Sequence, residues 1–192
     1  MQKIILTISG PSAGGKSTLV NGLLKHFPNG RICTYTNRPQ RTDEPSDAYF
    51  FATDDQIDNL NNRLWDFSYV GNRYAVTSDI VQGTLRQSSG LAFIDITTTG
   101  GQHAALQTNL ESHCVELLPI FLVSPGDEIL RQRMSTRSDG TREKIERRIR
   151  EGYEIAKAAH AIEGMQWIKP KPAEAVLTEV LGLIRQRQQK AL

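Results

Sequence analysis

The stretch IILTISGPSAGGKSTLVNGLL, residues 4–24, decides the fold of this 192-residue chain. Its apolar start, residues 4–8, predicts a buried strand, and the spacing of apolar residues over 16–27 predicts a helix. Between them, residues 10–17 match the pattern G-x-x-x-x-G-K-[ST]. A glycine-rich turn of this kind points backbone N–H groups at a polyphosphate, and the helix N-terminus adds partial positive charge. The sequence therefore predicts a P-loop that binds a nucleoside triphosphate together with Mg²⁺.

Individual residues of this loop have distinct expected roles. Lys16 is expected to reach the β- and γ-phosphates, and Ser17 is expected to ligate Mg²⁺. Asp95 ends the apolar stretch LAFID and is a second candidate metal ligand, because P-loop folds place an acid at such a strand end. The alternative for Asp95 is a carboxylate that only caps the next turn. The residues predicted to bind ATP are Gly10, Pro11, Ser12, Ala13, Gly14, Gly15, Lys16, Ser17 and Thr18.

Outside the P-loop, apolar strands alternate with helical patterns. Apolar runs predict further strands over 32–36, 91–96, 115–123 and 166–168. Helices are predicted over 53–64, 78–88, 102–110, 124–134, 172–189 and from about residue 141. Alternating aromatic and β-branched residues around Gly71-Asn72 predict a β-hairpin over 64–76. The pattern predicts an α/β fold, a P-loop core whose parallel sheet is flanked by helices, interrupted by a mixed α/β insert.

The composition excludes several classes of protein. Lys and Arg number 23 against 21 Asp and Glu, and a net charge of +2 is not that of a general nucleic-acid binder. Cys33 and Cys114 are too few for a disulfide framework or a Cys-based zinc site. The N-terminal apolar run is too short for a signal peptide, and no stretch approaches the roughly 20 apolar residues that span a bilayer. We therefore expect a cytoplasmic protein with no membrane or nucleic-acid partner.

Seven arginines fall within residues 131–150. Phosphoryl transfer spreads negative charge over the oxygens of the transferred group, and arginine stabilises such charge bidentately. Arg137 lies in a polar gap between two predicted helices, where a closing lid is expected, and Arg148 lies inside the second helix. The alternative is a solvated basic helix face with pairs such as Glu143–Arg147, which we expect for about half of these arginines.

A second pair of arginines points to an acceptor for the phosphoryl group. Arg38 and Arg41 lie three residues apart in a polar segment, and Tyr49 follows them. Two guanidiniums and a phenol can enclose one phosphate monoester, and Tyr74 on the hairpin could complete the set. For Tyr74 the alternative is hydrophobic packing. Beside a P-loop, these residues predict an acceptor-phosphate site.

Together these segments resemble the guanylate kinase family. The similar segments are GPSAGGKST (10–18), TNRPQR (36–41) followed by Tyr49, GNRYAV (71–76), LAFIDI (91–96) and LRQRMSTRSDGTREKIERRI (130–149). The resemblance implies one domain, with a core at 1–33, 91–133 and 147–192, an acceptor-binding insert at 34–90 and a small helical lid at 134–146. It also implies catalytic roles for Lys16, Arg133, Arg137 and Arg148.

The positions that read guanine in this family are altered here. Trp65 stands where the family has a Glu, and Asp66 would replace that Glu only after a one-residue shift, which turns a strand side chain to the other face. Ala75-Val76 stand in place of Gly-Ser, and Thr97 in place of a second Asp. Lys169-Pro170 replace an Asn on the adenine side. Asp66 and Thr97 are nevertheless candidate acceptor-binding residues.

Three functions are therefore expected in turn. The first is ATP- and Mg²⁺-dependent transfer of the γ-phosphoryl group to a phosphate monoester, most simply GMP or dGMP. The second keeps the chemistry but uses a phosphosugar such as ribose 1,5-bisphosphate, or a non-guanine nucleotide, because loss of base-reading groups relaxes or redirects selectivity. The related ribose 1,5-bisphosphate phosphokinases also lack the guanine-reading Glu, although the Arg38/Arg41 pair looks more like the guanylate kinases. The third is an inactive protein-binding module, against which the intact Gly15-Lys16-Ser17 argues. The expected assembly is a monomer or a homodimer.

Overall fold

The computed structural model describes residues 3–40, 44–45, 48–69, 71–96, 101–110, 115–136 and 141–190. Within these ranges the strands are β1 (Lys3–Ser9), β2 (Tyr35–Thr36), β3 (Phe50–Phe51), β4 (Arg63–Tyr69), β5 (Asn72–Thr77), β6 (Leu91–Asp95), β7 (Val115–Leu122) and β8 (Gln166–Ile168). The helices are α1 (Lys16–His26), α2 (Asp54–Asp58), α3 (Ser78–Gln87), α4 (Gly101–Leu110), α5 (Asp127–Thr136), α6 (Arg142–Ala159) and α7 (Ala173–Lys190). None of these helices combines the length and the apolar character that a membrane span requires.

Four strands form a parallel sheet in the order β6-β1-β7-β8. Its central strands are apolar runs because helices cover both faces of the sheet. Along β1, Ile4, Leu6 and Ile8 are buried against α1 and α7, whereas Ile5 is buried on the opposite face in the cluster that includes α3 and α4. The predicted α/β fold, with a parallel sheet flanked by helices, is confirmed.

The chain between α1 and α3 forms a second, mixed sheet in the order β3-β2-β5-β4. The predicted hairpin is part of it, with β4 and β5 antiparallel and Trp65 opposite Val76. Both of these side chains are buried in the same cluster as Ile94 of β6. One face of the hairpin therefore packs against the core and holds the second sheet beside the carboxyl end of β6.

Some element boundaries differ from the sequence-based expectation. The helix expected over 53–64 is only α2, which Thr53 begins with a capping box and which ends at Asp58 because the chain then turns into β4. The strand expected over 32–36 is reduced to β2, while Arg31 forms an isolated parallel bridge with Phe93 of β6. The short strand β3 has no counterpart in the prediction, because it depends on a parallel partner in β2 that lies far along the chain.

Only the two ends of the predicted lid, residues 134–146, are described. Residues 134–136 complete α5 and residues 142–146 begin α6, with Met134 and Ile145 buried in one cluster. Arg131 of α5 donates a hydrogen bond to Glu146 of α6 at 2.6 Å. The two helices therefore form a packed pair at both ends of the expected lid. Residues 137–140 lie outside the described residues, and the proposed lid and insert boundaries stay a prediction.

Candidate active site

The P-loop connects β1 to α1 through backbone that requires glycine. Gly10 has a φ of +146°, and a Cβ there would lie 2.8 Å from the carbonyl oxygen of Leu122. Gly15, with φ +106°, is the N-cap of α1. The Nζ atom of Lys16 folds back over the loop and donates to the carbonyl oxygens of Gly10 at 2.8 Å and Pro11 at 2.9 Å. The loop thus holds an ammonium group beside the N-terminus of a helix, where anions are favoured.

One cavity of about 140 Å³ brings together residues from distant parts of the sequence. The P-loop contributes part of its lining, and the insert and the two ends of the core contribute the rest. The predicted site residues that line it are Gly10, Ser12, Ala13, Gly15, Lys16, Ser17, Thr18, Arg38, Tyr49, Tyr74, Asp95 and Arg148. The triphosphate loop, both candidate metal ligands and three candidate acceptor residues therefore share one space.

Tyr49 connects the acceptor side of this cavity to the strand end. Its hydroxyl donates a hydrogen bond to Oδ2 of Asp95 at 3.1 Å. The negative charge of Asp95, together with burial, raises the pKa of Tyr49 well above its usual value of about 10. The hydroxyl consequently stays protonated and remains a donor at neutral pH. The guanidinium carbons of Arg31 and Arg38 lie 5.4 and 5.1 Å from the centroid of the Tyr49 ring, within cation–π distance.

Arg38 is paired with a carboxylate from its own segment. Its Nη2 atom donates to both carboxylate oxygens of Glu44, each at 2.8 Å. Burial lowers the pKa of Arg38, but the hydrogen bond and charge of Glu44 outweigh burial, so the net shift is upward. Arg38 is therefore a firmly held cation on the acceptor side of the cavity.

Two residues of the site were not identified by sequence reasoning. Arg31 places its Nη2 atom 3.9 Å from Oδ1 of Asp95. Tyr69 lines the cavity, and its hydroxyl lies 3.5 Å from the hydroxyl of Ser12. The alternation of aromatic residues along the hairpin could have indicated Tyr69. A single arginine before an apolar segment carries no sequence signal for a partner in β6.

Asp66 does not line the cavity, contrary to the expectation that it contacts the acceptor. Its neighbours Trp65 and Phe67 do line it, and successive side chains of a strand face opposite ways. The Asp66 carboxylate instead accepts hydrogen bonds from Arg63 at 3.0 Å and from Arg73 at 2.9 Å. Hydrogen bonding to Asp66 is the main cause that raises the pKa of Arg73. Asp66 is therefore a structural ion-pair partner and is not retained as an acceptor-binding residue.

A second cavity of about 290 Å³ adjoins the other side of the P-loop. Gly15, Leu122 and the segment Lys169-Pro170 contribute to its lining. Arg133 also lines this cavity, and its Nη1 atom donates to the carbonyl oxygen of Ala13 at 3.1 Å. Arg133 thus contacts the P-loop from the second cavity and is not among the residues that line the first.

The remaining arginines of residues 131–150 differ in their surroundings. Arg148 lines the first cavity. Arg147 forms a surface pair with Glu151 at 3.5 Å rather than with the expected Glu143. Arg131 is paired across α5 and α6, as described above. The alternative of a charged helix face therefore applies to two of these arginines. Three predicted site residues lie outside the described residues, namely Arg41, Thr97 and Arg137.

The geometry defines the class of protein. A P-loop that can hold a donor triphosphate shares one cavity with Arg38, Tyr49 and Tyr74, which can hold a second phosphate. Phosphoryl transfer depends on positioning donor and acceptor together and on stabilising their charge. This arrangement is that of a nucleotide kinase.

Comparison with known proteins identifies the family. The family model described as guanylate kinase matches residues 1–164, and the chain belongs to the guanylate kinase family. Similar proteins include the guanylate kinase of Rickettsia felis, 26% identical over 193 residues that cover 98% of this chain and 96% of the relative. The guanylate kinase of a Nostoc species is 28% identical over 160 residues, 81% of this chain and 77% of the relative.

A solved structure supports the same assignment of fold. The crystal structure of guanylate kinase from Anaplasma phagocytophilum matches with a TM-score of 0.72 at 19% identity, covering 97% of this chain and 87% of that one. The fold is therefore that of the family. The chain is a phosphotransferase of the nucleoside monophosphate kinase type, as the sequence-level resemblance predicts.

Proposed function

We propose that this protein transfers the γ-phosphoryl group of ATP to the phosphate of a nucleoside monophosphate, with GMP or dGMP as the first acceptor and Mg²⁺ as the cofactor. The observation that carries the proposal is the single cavity lined both by Lys16 and Ser17 and by Arg38, Tyr49 and Tyr74. The guanylate kinases among the similar proteins support GMP as the acceptor.

The donor nucleotide would lie along the P-loop. Lys16 would exchange its hydrogen bonds to the carbonyl oxygens of Gly10 and Pro11 for bonds to the β- and γ-phosphates. The nucleoside end would extend into the second cavity, where Leu122 and Pro170 offer apolar surface to a base. Arg133, which already contacts the loop at Ala13, would then lie beside the donor phosphates.

Ser17 and Asp95 fit the requirements of Mg²⁺. Both line the cavity and both offer oxygen, and Mg²⁺ at phosphate-transfer sites takes one or two protein ligands while phosphates and water complete its shell. When bound, Mg²⁺ would neutralise charge on the donor phosphates. The hydrogen bond from Tyr49 orients the Asp95 carboxylate, as outer contacts commonly do for metal-ligating carboxylates.

The acceptor phosphate would replace Glu44 as the partner of Arg38. A phosphate dianion carries more charge and more acceptor oxygens than a carboxylate, so it competes well for a guanidinium. Tyr49 and Tyr74 would donate hydrogen bonds to the remaining oxygens. By resemblance to the family, Arg41 would add a second guanidinium.

The transfer itself requires no general base and no covalent intermediate. An acceptor phosphate oxygen forms a bond to the γ-phosphorus while the bond to the β–γ bridging oxygen breaks, and ADP leaves with that electron pair. Arg148 would stabilise the charge on the transferred group from its place in the cavity wall. By resemblance, Arg137 and Arg133 would add to this stabilisation.

A coupled assay of ADP release tests the proposal over a panel of nucleoside and sugar monophosphates at saturating Mg-ATP. We expect turnover with GMP and dGMP. Absence of turnover with every acceptor would contradict the proposal. Undetectable binding of Mg-ATP by calorimetry would then favour the inactive module.

A second candidate keeps the chemistry and changes the acceptor to a phosphosugar, such as ribose 1,5-bisphosphate, or a non-guanine nucleotide. Trp65, Phe67 and Ile96 make part of the cavity wall apolar. Among the described residues that line this cavity, Asp95 is the only carboxylate, and Tyr49 already donates to it. A guanine edge presents N–H donors that need such acceptors. Efficient use of GMP, with all other acceptors inert, would exclude this candidate.

A further inference from the structure

Arg31 is held rigidly by the core of the protein. Its backbone forms a parallel bridge with Phe93, and the N–H of Ile32 donates to the carbonyl oxygen of Phe93 at 2.9 Å. The side chain then reaches the carboxyl end of β6, where only 17% of it remains exposed. Arg31 therefore presents a largely buried, fixed cation to the active-site cavity's edge.

The guanidinium of Arg31 contacts two site residues that also contact each other. Its Nη2 atom lies 3.9 Å from Oδ1 of Asp95, beyond hydrogen-bond distance but close enough for a strong charge interaction. Its central carbon lies 5.4 Å from the centroid of the Tyr49 ring. Tyr49 donates to the other carboxylate oxygen of Asp95 at 3.1 Å. The three side chains form a closed triangle.

A side pocket of about 200 Å³ extends from this triangle. Arg31, Tyr49 and Asp95 line it together with Ser17 and Glu44, so it adjoins both the P-loop and the acceptor side. Glu44 is neutralised by Arg38, at 2.8 Å. Asp95 has Arg31 as its cationic neighbour at 3.9 Å. The charges around the acceptor side are therefore balanced in pairs.

This balance has a consequence for an anionic acceptor. A phosphate dianion that binds to Tyr49 must approach the Asp95 carboxylate, because Tyr49 hydrogen-bonds directly to it. Like charges that lie within a few ångströms repel strongly in a partly buried site, where salt screens poorly. Arg31 offsets the charge of Asp95 at the position where this repulsion would arise.

We propose that Arg31 is a positioning residue of the acceptor site, which compensates the charge of Asp95 so that an anionic monophosphate can bind beside it. The proposal rests on the proposed function, since it requires an acceptor whose phosphate is held by Arg38 and Tyr49. Arg31 acts through Asp95 and is not assigned a contact with either substrate.

Equilibrium binding of GMP to the full chain, measured by calorimetry without ATP or Mg²⁺, tests this role. Arg31→Met should raise the Kd for GMP by about 10-fold or more, because one uncompensated charge remains in the site. Its Kd for ATP should stay within about two-fold of the wild-type value, a split between the two ligands that a general structural defect does not produce. Arg31→Lys, which keeps the charge, should recover part of the GMP affinity.

Two further variants sharpen the experiment. Arg86→Met is the matched control, because Arg86 is exposed on α3 and lies outside the cavities described here; it should change neither Kd. Asp95→Asn retains an acceptor for the Tyr49 hydroxyl but removes the charge. In that background Arg31→Met should alter GMP binding by no more than about two-fold, since no charge is left to compensate.

The outcomes separate cleanly. Equal losses of GMP affinity in the two backgrounds, or wild-type affinity in Arg31→Met, would overturn the proposal. Thermal unfolding checks each variant, and Arg31→Gln replaces Arg31→Met in the cycle if the latter does not fold. Failure of the proposed function would look different, because the wild-type chain would then neither bind nor phosphorylate GMP or any other monophosphate. If the acceptor panel selects another monophosphate, that compound replaces GMP in the same measurements.

Discussion

The hydroxyl of Tyr49 donates a hydrogen bond to the carboxylate of Asp95 over 3.1 Å and so joins the insert to the end of β6. In the proposed reaction, Tyr49 belongs to the acceptor site and Asp95 to the metal side of the donor site. One hydrogen bond therefore links the two substrates' sites before either substrate is bound.

Tyr49→Phe keeps the ring that Arg31 and Arg38 flank but removes the hydroxyl. We expect the KM for the acceptor to rise about 10- to 100-fold, the usual effect of losing one hydrogen bond to a charged group. The KM for ATP should change little. Steady-state kinetics with each substrate varied in turn provides the measurement. Tyr153→Phe, a mostly exposed tyrosine on α6, is the control. Unchanged acceptor kinetics in Tyr49→Phe would show that Tyr49 serves only the fold.

Lys16→Met removes the ammonium group that lies over the P-loop. We expect kcat to fall by at least about 100-fold, because a positioned cation stabilises charge that develops during transfer. Lys25→Met is a matched control, since Lys25 lies exposed at the end of the same helix. The two variants should be compared in the ADP-release assay. If both retain full activity, Lys16 does not act on the transferred phosphate.

Asp66→Asn tests the correction made by the hairpin register. We expect acceptor kcat/KM within about two-fold of wild type, because Asp66 faces away from the cavity, and non-contacting surface changes are usually small in effect. The melting temperature should fall slightly, since the ion pairs with Arg63 and Arg73 are weakened. Kinetics and thermal unfolding together decide the matter. A large rise in acceptor KM without loss of stability would return Asp66 to the site.

Base selectivity should be weak in this protein. A pocket built to hydrogen-bond a base can reject an analogue that lacks the bonding group by about 10⁴-fold, whereas an apolar wall discriminates by only about 10- to 200-fold. Since Trp65 and Phe67 line the cavity, we expect kcat/KM for IMP, which lacks the 2-amino group, to be within about 200-fold of that for GMP. Competition assays at fixed Mg-ATP measure the ratio. Discrimination near 10⁴-fold would mean that a strong guanine-reading group operates in the site.

His103 should make stability depend on pH. Its side chain is buried on α4, and burial lowers its pKa below the usual value of about 6.5. As the pH falls below 6.5, the unfolded chain takes up a proton that the folded chain resists, so the folded state loses stability until the lowered pKa is passed. Urea unfolding at pH 7.5 and pH 5.5 measures this loss. His103→Asn should show a smaller loss than wild type, and the exposed His26→Asn should show the same loss as wild type. Identical losses in all three proteins would exclude His103 as the cause.

The sequence predicts the parts of the fold that depend on local pattern. The P-loop follows from the spacing of Gly10, Gly15 and Lys16, and the hairpin follows from alternating aromatic residues around Gly71-Asn72. These features are predictable because the backbone conformation is dictated by residues within a few positions of one another. The extent of α2 and the existence of β3 are not predictable in this way, since each depends on where a neighbouring strand pairs.

The sequence by itself determined the family, the P-loop and the types of residue that handle phosphate. Only the tertiary structure decided that Asp66 turns away from the cavity while Trp65 lines it, because strand register fixes which face each side chain takes. The structure likewise brought Arg31 to Asp95 and Glu44 to Arg38. Charge pairing of this kind depends on distances across the fold, and no spacing along the chain encodes those distances.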